Sequence, residues 1–197
     1  MQTAQTSGET AGQASDQTAS SWADAAEQRV LDEALRLAPR AGWNAGLVSR
    51  ALAAAGFSDA EGQLLLPEGP RDLAALLSRR HDAVALGKLR TFDLAALKIR
   101  QRIREGVIAR LDAAQENADV LRPLAAFMAF PTNLPLALRL TWESADVIWR
   151  WAGDVATDEN HYSKRAILSG VLISTLAVDM ASGRASALSH LDARIDN

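Results

Sequence analysis

The chain contains no cysteine. Disulfides, zinc-thiolate sites, iron–sulfur clusters and thiol nucleophiles are therefore excluded from its chemistry. Histidine is scarce, at three residues in 197, and aromatic residues make up only 5%. Positive charge is also in short supply, with 21 Lys and Arg against 24 Asp and Glu. A formal charge of -3 argues against a broad nucleic-acid coat, which needs a basic surplus or at least a basic face. No uninterrupted apolar run reaches the roughly 18 residues of a membrane-spanning helix, and the N-terminus carries no apolar signal segment. The expectation is a soluble chain that lives inside a cell, or that touches a membrane only from its surface. With 48% hydrophobic and 23% charged residues, the chain can bury a core.

Residues 1–21 are mostly Gln, Thr, Ala, Ser and Gly, and read as a disordered leader with order beginning near Trp22. Glu9 and Asp16, with no Lys or Arg, are the wrong chemistry for a mitochondrial presequence. Helical periodicity then runs through the chain. Val30, Leu31, Ala34, Leu35 and Ala38 recur at three- and four-residue spacing before Pro39 and Gly42. Short helices fit 45–55 and 59–66, with Gly56 in the turn and Ser58 as N-cap. Another follows Pro70, and a long one is predicted over 92–114. Helices over 117–131, 136–153, 161–181 and 185–195 complete the chain, with Thr157–Asp158 capping the third of these. No strand alternation stands out, so the fold class is all-α.

Residues 28–90 have the order and spacing of a helix-turn-helix and resemble the heads of TetR-family regulators, whose bodies are helical ligand-binding bundles. The predicted division is a head over 22–90 and a ligand-binding body over 91–197. The head's charge is wrong for DNA. No Lys or Arg lies between Phe57 and Pro70, where Asp59, Glu61 and Glu68 do, and residues 22–70 carry four arginines against seven carboxylates. Such a head repels phosphate, and no nucleic acid is expected as a partner.

The body concentrates apolar volume between Phe127 and Trp151. Trp142 and Trp149, seven apart, share a helix face, and Trp151 points elsewhere. Pattern alone leaves two readings open, a filled core or an apolar pocket. The stretch Trp149-Arg-Trp-Ala-Gly-Asp-Val-Ala-Thr-Asp-Glu-Asn-His-Tyr-Ser-Lys-Arg165 closely resembles the signature of the ubiquinone-biosynthesis lipid-binding protein family, the ninth of the numbered coenzyme Q proteins. Ala41-Gly42-Trp43 and the Phe130–Pro135 break support the match, which runs from about residue 28 to 195.

That resemblance implies a TetR-like fold without DNA binding, a non-enzymatic accessory role, and isoprenoid lipid or quinone intermediates held in an apolar cavity. The residues expected around the lipid are Phe127, Met128, Phe130, Leu138, Trp142, Ile148, Trp149, Leu168, Val171 and Leu172. A di-iron demethoxyubiquinone hydroxylase is the implied protein partner, contacted through Asp158, His161 and Tyr162 with Arg165 nearby. His161 departs from the family, which has Trp before the Tyr. The chain stops at Asn197, where relatives continue into an amphipathic membrane helix. A homodimer through 161–195 is expected, and the location is expected to be bacterial cytoplasm, peripheral to the inner membrane at most. The alternatives are a ligand-responsive TetR-type transcriptional regulator and an oligomeric scaffold with a filled core.

Asp158 and His161 have an i, i+3 spacing used by di-iron helices, but such sites need pairs on two helices and further glutamates. Asp158 is more simply a cap, and no cofactor or metal is expected. Lys88, Arg90, Lys98, Arg100, Arg102 and Arg104 form a local basic cluster, read either as a solvated helix face or as a contact for anionic lipid head groups.

Overall fold

A computed structural model describes residues 6–154 and 159–196, and the described residues are helical without a strand. Nine α-helices follow in order: α1 (Thr6–Ala41), α2 (Ala45–Ala54), α3 (Asp59–Leu65), α4 (Pro70–Leu89), α5 (Ile99–Gln115), α6 (Ala118–Met128), α7 (Leu134–Trp151), α8 (Glu159–Ser182) and α9 (Arg184–Asp196). The chain forms two compact units, Met1–Leu76 and Leu77–Asn197. The division therefore falls inside α4, earlier than the boundary at residue 90 suggested by the sequence.

In the first unit, α1 extends back to Thr6 rather than starting near Trp22. Residues 6–21 contain no proline, so a helix nucleated by the packed part of α1 can propagate through them. The packed face is Ala26, Val30, Leu31, Ala34 and Ala38. Asn44 caps α2 by accepting the Leu47 amide at 3.1 Å. Gly56 turns the chain at φ +80°, in the left-handed region that glycine enters without steric cost. Ser58 and Glu61 then close a reciprocal capping box at α3, as the sequence predicts for Ser58. The Ser58 hydroxyl and amide both bond the Glu61 carboxylate and hold it below the usual carboxylate range. Trp43 is buried and donates its indole N–H to the Pro70 carbonyl at 2.9 Å, tying the end of α1 to the start of α4.

The second unit is built on α5, α7, α8 and α9. Ile103, Val107 and Leu111 of α5 meet Ala145 and Ile148 of α7, Leu168, Val171 and Leu172 of α8, and Leu191 of α9. Gly106 allows the close approach of α5 and α7. A Cβ there would lie 2.4 Å from Ile148 Cγ2. The long helix predicted over 92–114 is interrupted. A 3-10 turn occupies Leu94–Ala96, Leu97 is extended, and α5 begins at Ile99. Asp93 caps the turn by accepting the Ala95 amide, and the Arg102 guanidinium takes the carbonyls of Leu94 and Leu97 at 2.7 and 3.0 Å. Those bonds compensate the carbonyls for leaving the helical ladder.

The sequence shows no uninterrupted apolar run of membrane-spanning length, yet Asn160–Ser182 is long and apolar enough to cross a membrane by length and composition. That corrects the expectation from the raw run. One third of its most apolar 18-residue stretch is buried in the fold, and the helix carries Arg165 and Asp179, both engaged in ion pairs. Much of its apolar surface, including Ile167 and Ile173, therefore faces outward rather than into the centre of the bundle.

An apolar band beside a buried ion cluster

The signature stretch begins at the end of α7, and its tryptophans serve as anchors. Trp149 donates its indole N–H to the Lys164 carbonyl at 3.1 Å, and the Lys164 ammonium lies 5.3 Å from the Trp149 ring centroid. Trp151 points to another side, as its spacing predicts, and donates to the Leu89 carbonyl at 3.0 Å. The Ala-Gly-Asp triplet ends the helix. Gly153 sits at φ +93°, its amide donates to the Arg150 carbonyl, and the Asp154 amide reaches the Trp149 carbonyl at 3.0 Å. These are the bonds of a glycine-terminated helix end.

Asp154 is thereby aimed at the first turns of α8. Its carboxylate accepts from Lys164 at 2.8 Å and from Arg165 at 3.1 Å, and Arg165 also binds Asp146 of α7 at 2.6 Å. Arg165 further donates to the His161 carbonyl at 3.1 Å and is 1% exposed. Its expected place in a surface patch for a partner is thus corrected. The guanidinium is enclosed by two carboxylates and a carbonyl and fastens α7 to α8 from within. Asp158, the other charged member of that patch, and the Thr157–Asp158 cap lie outside the described residues.

Tyr162 does stand at the surface, 64% exposed, with the His161 ring 5.2 Å away in an edge-on arrangement. On its other side the Trp142 ring of α7 lies 6.2 Å away, tilted by 32°. Trp142 in turn belongs to a row at four-residue spacing, Leu134, Leu138 and Trp142, of which the two leucines are exposed. Phe130, just before α7, is exposed as well, while Phe127 and Met128 at the end of α6 are half-buried. Phe130, Leu134, Leu138, Trp142 and Tyr162 thus make an apolar band that crosses from α7 to α8.

The ten residues expected around a lipid therefore divide. Phe130, Leu138 and Trp142 are in the band, with Phe127 and Met128 partly accessible at the end of α6. Ile148, Leu168, Val171 and Leu172 belong to the packed core, and Trp149 packs against it from the edge. Leu134 is not among the residues expected around the lipid, although its spacing from Leu138 and Trp142 is the available signal. Arg102 was also missed in its actual role, because a basic run does not show which of its members turns inward.

A second polar group is buried in this unit. Asp82 of α4 accepts from Arg110 at 2.6 Å and from Ser144 at 2.7 Å, and burial nevertheless pushes its carboxyl above the usual range. The neighbouring His81 bonds Asn117 at 2.9 Å. Burial, followed by the charge of Arg110, lowers its pKa to about 4. These groups brace α4, α5 and α7 and take no part in the band.

A glycine-terminated α7, an ion cluster joining it to α8, and an exposed aromatic–aliphatic band describe an all-α protein whose outer surface offers apolar contact. Comparison with known proteins narrows that class. The COQ9 family model matches residues 134–197, the part of the chain that carries the band and the ion cluster. The frog (Xenopus laevis) mitochondrial ubiquinone biosynthesis protein COQ9-B is 31% identical over 160 residues, covering 76% of this chain and 53% of the relative. Human mitochondrial COQ9 is 26% identical over 165 residues, covering 78% and 50%. The fission yeast (Schizosaccharomyces pombe) protein is 27% identical over 144 residues, covering 72% and 56%. The chain is thus similar over most of its length to COQ9 ubiquinone biosynthesis proteins, and its last third matches the model of that family. It spans about half the length of the curated relatives it matches. All three relatives are mitochondrial, which overturns the expectation of a bacterial cytoplasmic location.

Proposed function

We propose that this chain is a non-enzymatic, lipid-binding accessory protein of ubiquinone biosynthesis. It receives an isoprenoid quinone intermediate against the apolar surface of α7 and α8 and presents the head group to the di-iron hydroxylase that acts on demethoxyubiquinone. The observation that carries the reading is the band Phe130–Leu134–Leu138–Trp142–Tyr162. Apolar side chains at four-residue spacing normally turn inward, and here they face outward beside a packed core.

A polyprenyl chain resists leaving a bilayer because each buried CH₂ contributes about 0.8 kcal/mol to staying. An apolar surface that covers part of the chain lowers the cost of lifting the head group to an enzyme. Tyr162 and His161, exposed and half-exposed at one end of the band, remain the candidates for hydroxylase contact. The outward face of α8, with Ala166, Ile167, Gly170, Ile173 and Ala177 exposed and no charge among them, supports a homodimer through this helix.

The test is titration with a short-chain quinone, read by quenching of tryptophan fluorescence. Binding should saturate, and Leu134→Ser with Leu138→Ser should weaken it at least about tenfold, since an exposed leucine that the ligand fully covers contributes about 1.5–3 kcal/mol and partial cover a fraction of that. Unsaturable quenching, or equal affinity in the variant, would remove the proposal.

A further inference from the structure

The six cations at positions 88–104 do not act as one basic face. Lys88 pairs with Glu116 at 3.3 Å, and Arg104 with Asp192 at 2.6 Å and with Glu105. Arg102 turns inward to three backbone carbonyls, those of Leu94, Leu97 and Ala152, the last at 2.8 Å. Arg90, Lys98 and Arg100 are left exposed, with no ion pair among the described residues. Between them the chain exposes Phe92, at 40%, Ile99, at 48%, and the small side chains of Ala95 and Ala96. Asp93 is the only carboxylate from 90 to 100, and it caps the 3-10 turn.

The segment is braced. Arg102 ties its carbonyls to the end of α7, and the Phe92 ring meets Trp151 edge-on at 6.2 Å. Two outward apolar side chains flanked by free cations are therefore held in place before any partner arrives, which spares most of the ordering cost of docking.

We propose that the α4–α5 connection, residues 90–100, docks on an anionic bilayer surface, with Phe92 and Ile99 entering the interfacial region and Arg90, Lys98 and Arg100 meeting lipid phosphates. A protein partner fits less well. A stable protein interface uses about 20–30 residues a side around an apolar centre, and this segment offers eleven residues with two large apolar side chains. A charged membrane needs no such area. Each free cation near it contributes about fivefold to partitioning, so three contribute on the order of a hundredfold. This docking goes beyond the quinone-carrying role and stands without it.

The test is sedimentation of the full chain with phosphatidylcholine vesicles, with and without phosphatidylserine. The chain should bind the phosphatidylserine vesicles and be released as salt is raised. Replacing Arg90, Lys98 and Arg100 together with Gln should cut partitioning on the order of a hundredfold at low salt. Ile99→Ser should cut it several-fold with all three cations intact, and circular dichroism should show unchanged helix content in both variants. Release of the unmodified chain by salt tests the charge contribution even where a variant fails to fold. Equal binding to vesicles lacking phosphatidylserine, or equal binding by the triple variant, overturns the proposal. So does an absence of vesicle binding, which would assign the cations to an acidic protein surface. Quinone titration of the triple variant separates this from the carrying role, because it should be unchanged.

Discussion

Arg165→Met is the substitution on which the reading of the signature stretch can be tested most sharply. The side chain is buried, its guanidinium bonds Asp146 at 2.6 Å and Asp154 at 3.1 Å, and Asp154 is itself nearly inaccessible. Methionine replaces the volume but removes the buried cation between the two carboxylates, while Asp146 keeps its pair with the exposed Arg150 and Asp154 its pair with Lys164. Breaking a buried pair from one side costs about 3–5 kcal/mol, because a desolvated charge loses its compensation. The residual partners of the two carboxylates place the expected loss near the lower end, about 3 kcal/mol. In urea, with a slope of about 2 kcal/mol/M, the unfolding midpoint should fall by about 1.5 M. Circular dichroism follows the transition. Adding Asp146→Asn and Asp154→Asn to Arg165→Met should recover most of the loss, since no unpaired charge is then left inside. A loss below about 1 kcal/mol, or no recovery in the triple variant, would refute the assignment of Arg165 as an internal fastening.

His81 gives a pH prediction with a defined sign. Its folded pKa of about 4 lies below the ordinary 6.5, so the unfolded chain takes up the proton first. Stability is then fully present above pH 6.5 and falls by about 3 kcal/mol as pH drops to 4, and His81→Gln should flatten that slope in denaturant titrations. Gly106→Ala should cost about 1–3 kcal/mol by thermal or urea unfolding, because its Cβ meets Ile148, and combining it with Ile148→Ala should cost less than the two changes summed. Gly153→Ala should cost about 1–2 kcal/mol by the same measurement, from its positive φ and the Arg102 guanidinium 3.3 Å from the new Cβ.

Local signals in the sequence were read well where a single residue type decides the geometry. Ser58 as a cap and Gly56 as a turn need only their own side chains and those of near neighbours, and both appear as expected. The break at 94–98 was illegible, because it depends on Arg102 turning back to carbonyls that a periodicity count treats as helical. Arg165 was misplaced for a related reason. A basic residue beside a Tyr reads as surface until Asp146, nineteen positions earlier, is known to face it. The apolar band was half-visible. Leu138, Trp142 and Phe130 could be named from sequence, but spacing alone does not show which apolar face of a helix looks outward, and so Ile148 and Leu168 of the core were grouped with them. The charge of the head, by contrast, needs no structure to interpret, since Asp59, Glu61 and Glu68 have no basic residue among them.

Native mass spectrometry of the chain purified without detergent addresses the central claim most directly. The account predicts mass increments of isoprenoid lipid on the intact protein, reduced when Leu134 and Leu138 are changed to Ser. Repeated recovery of empty protein that takes up no added quinone would contradict it.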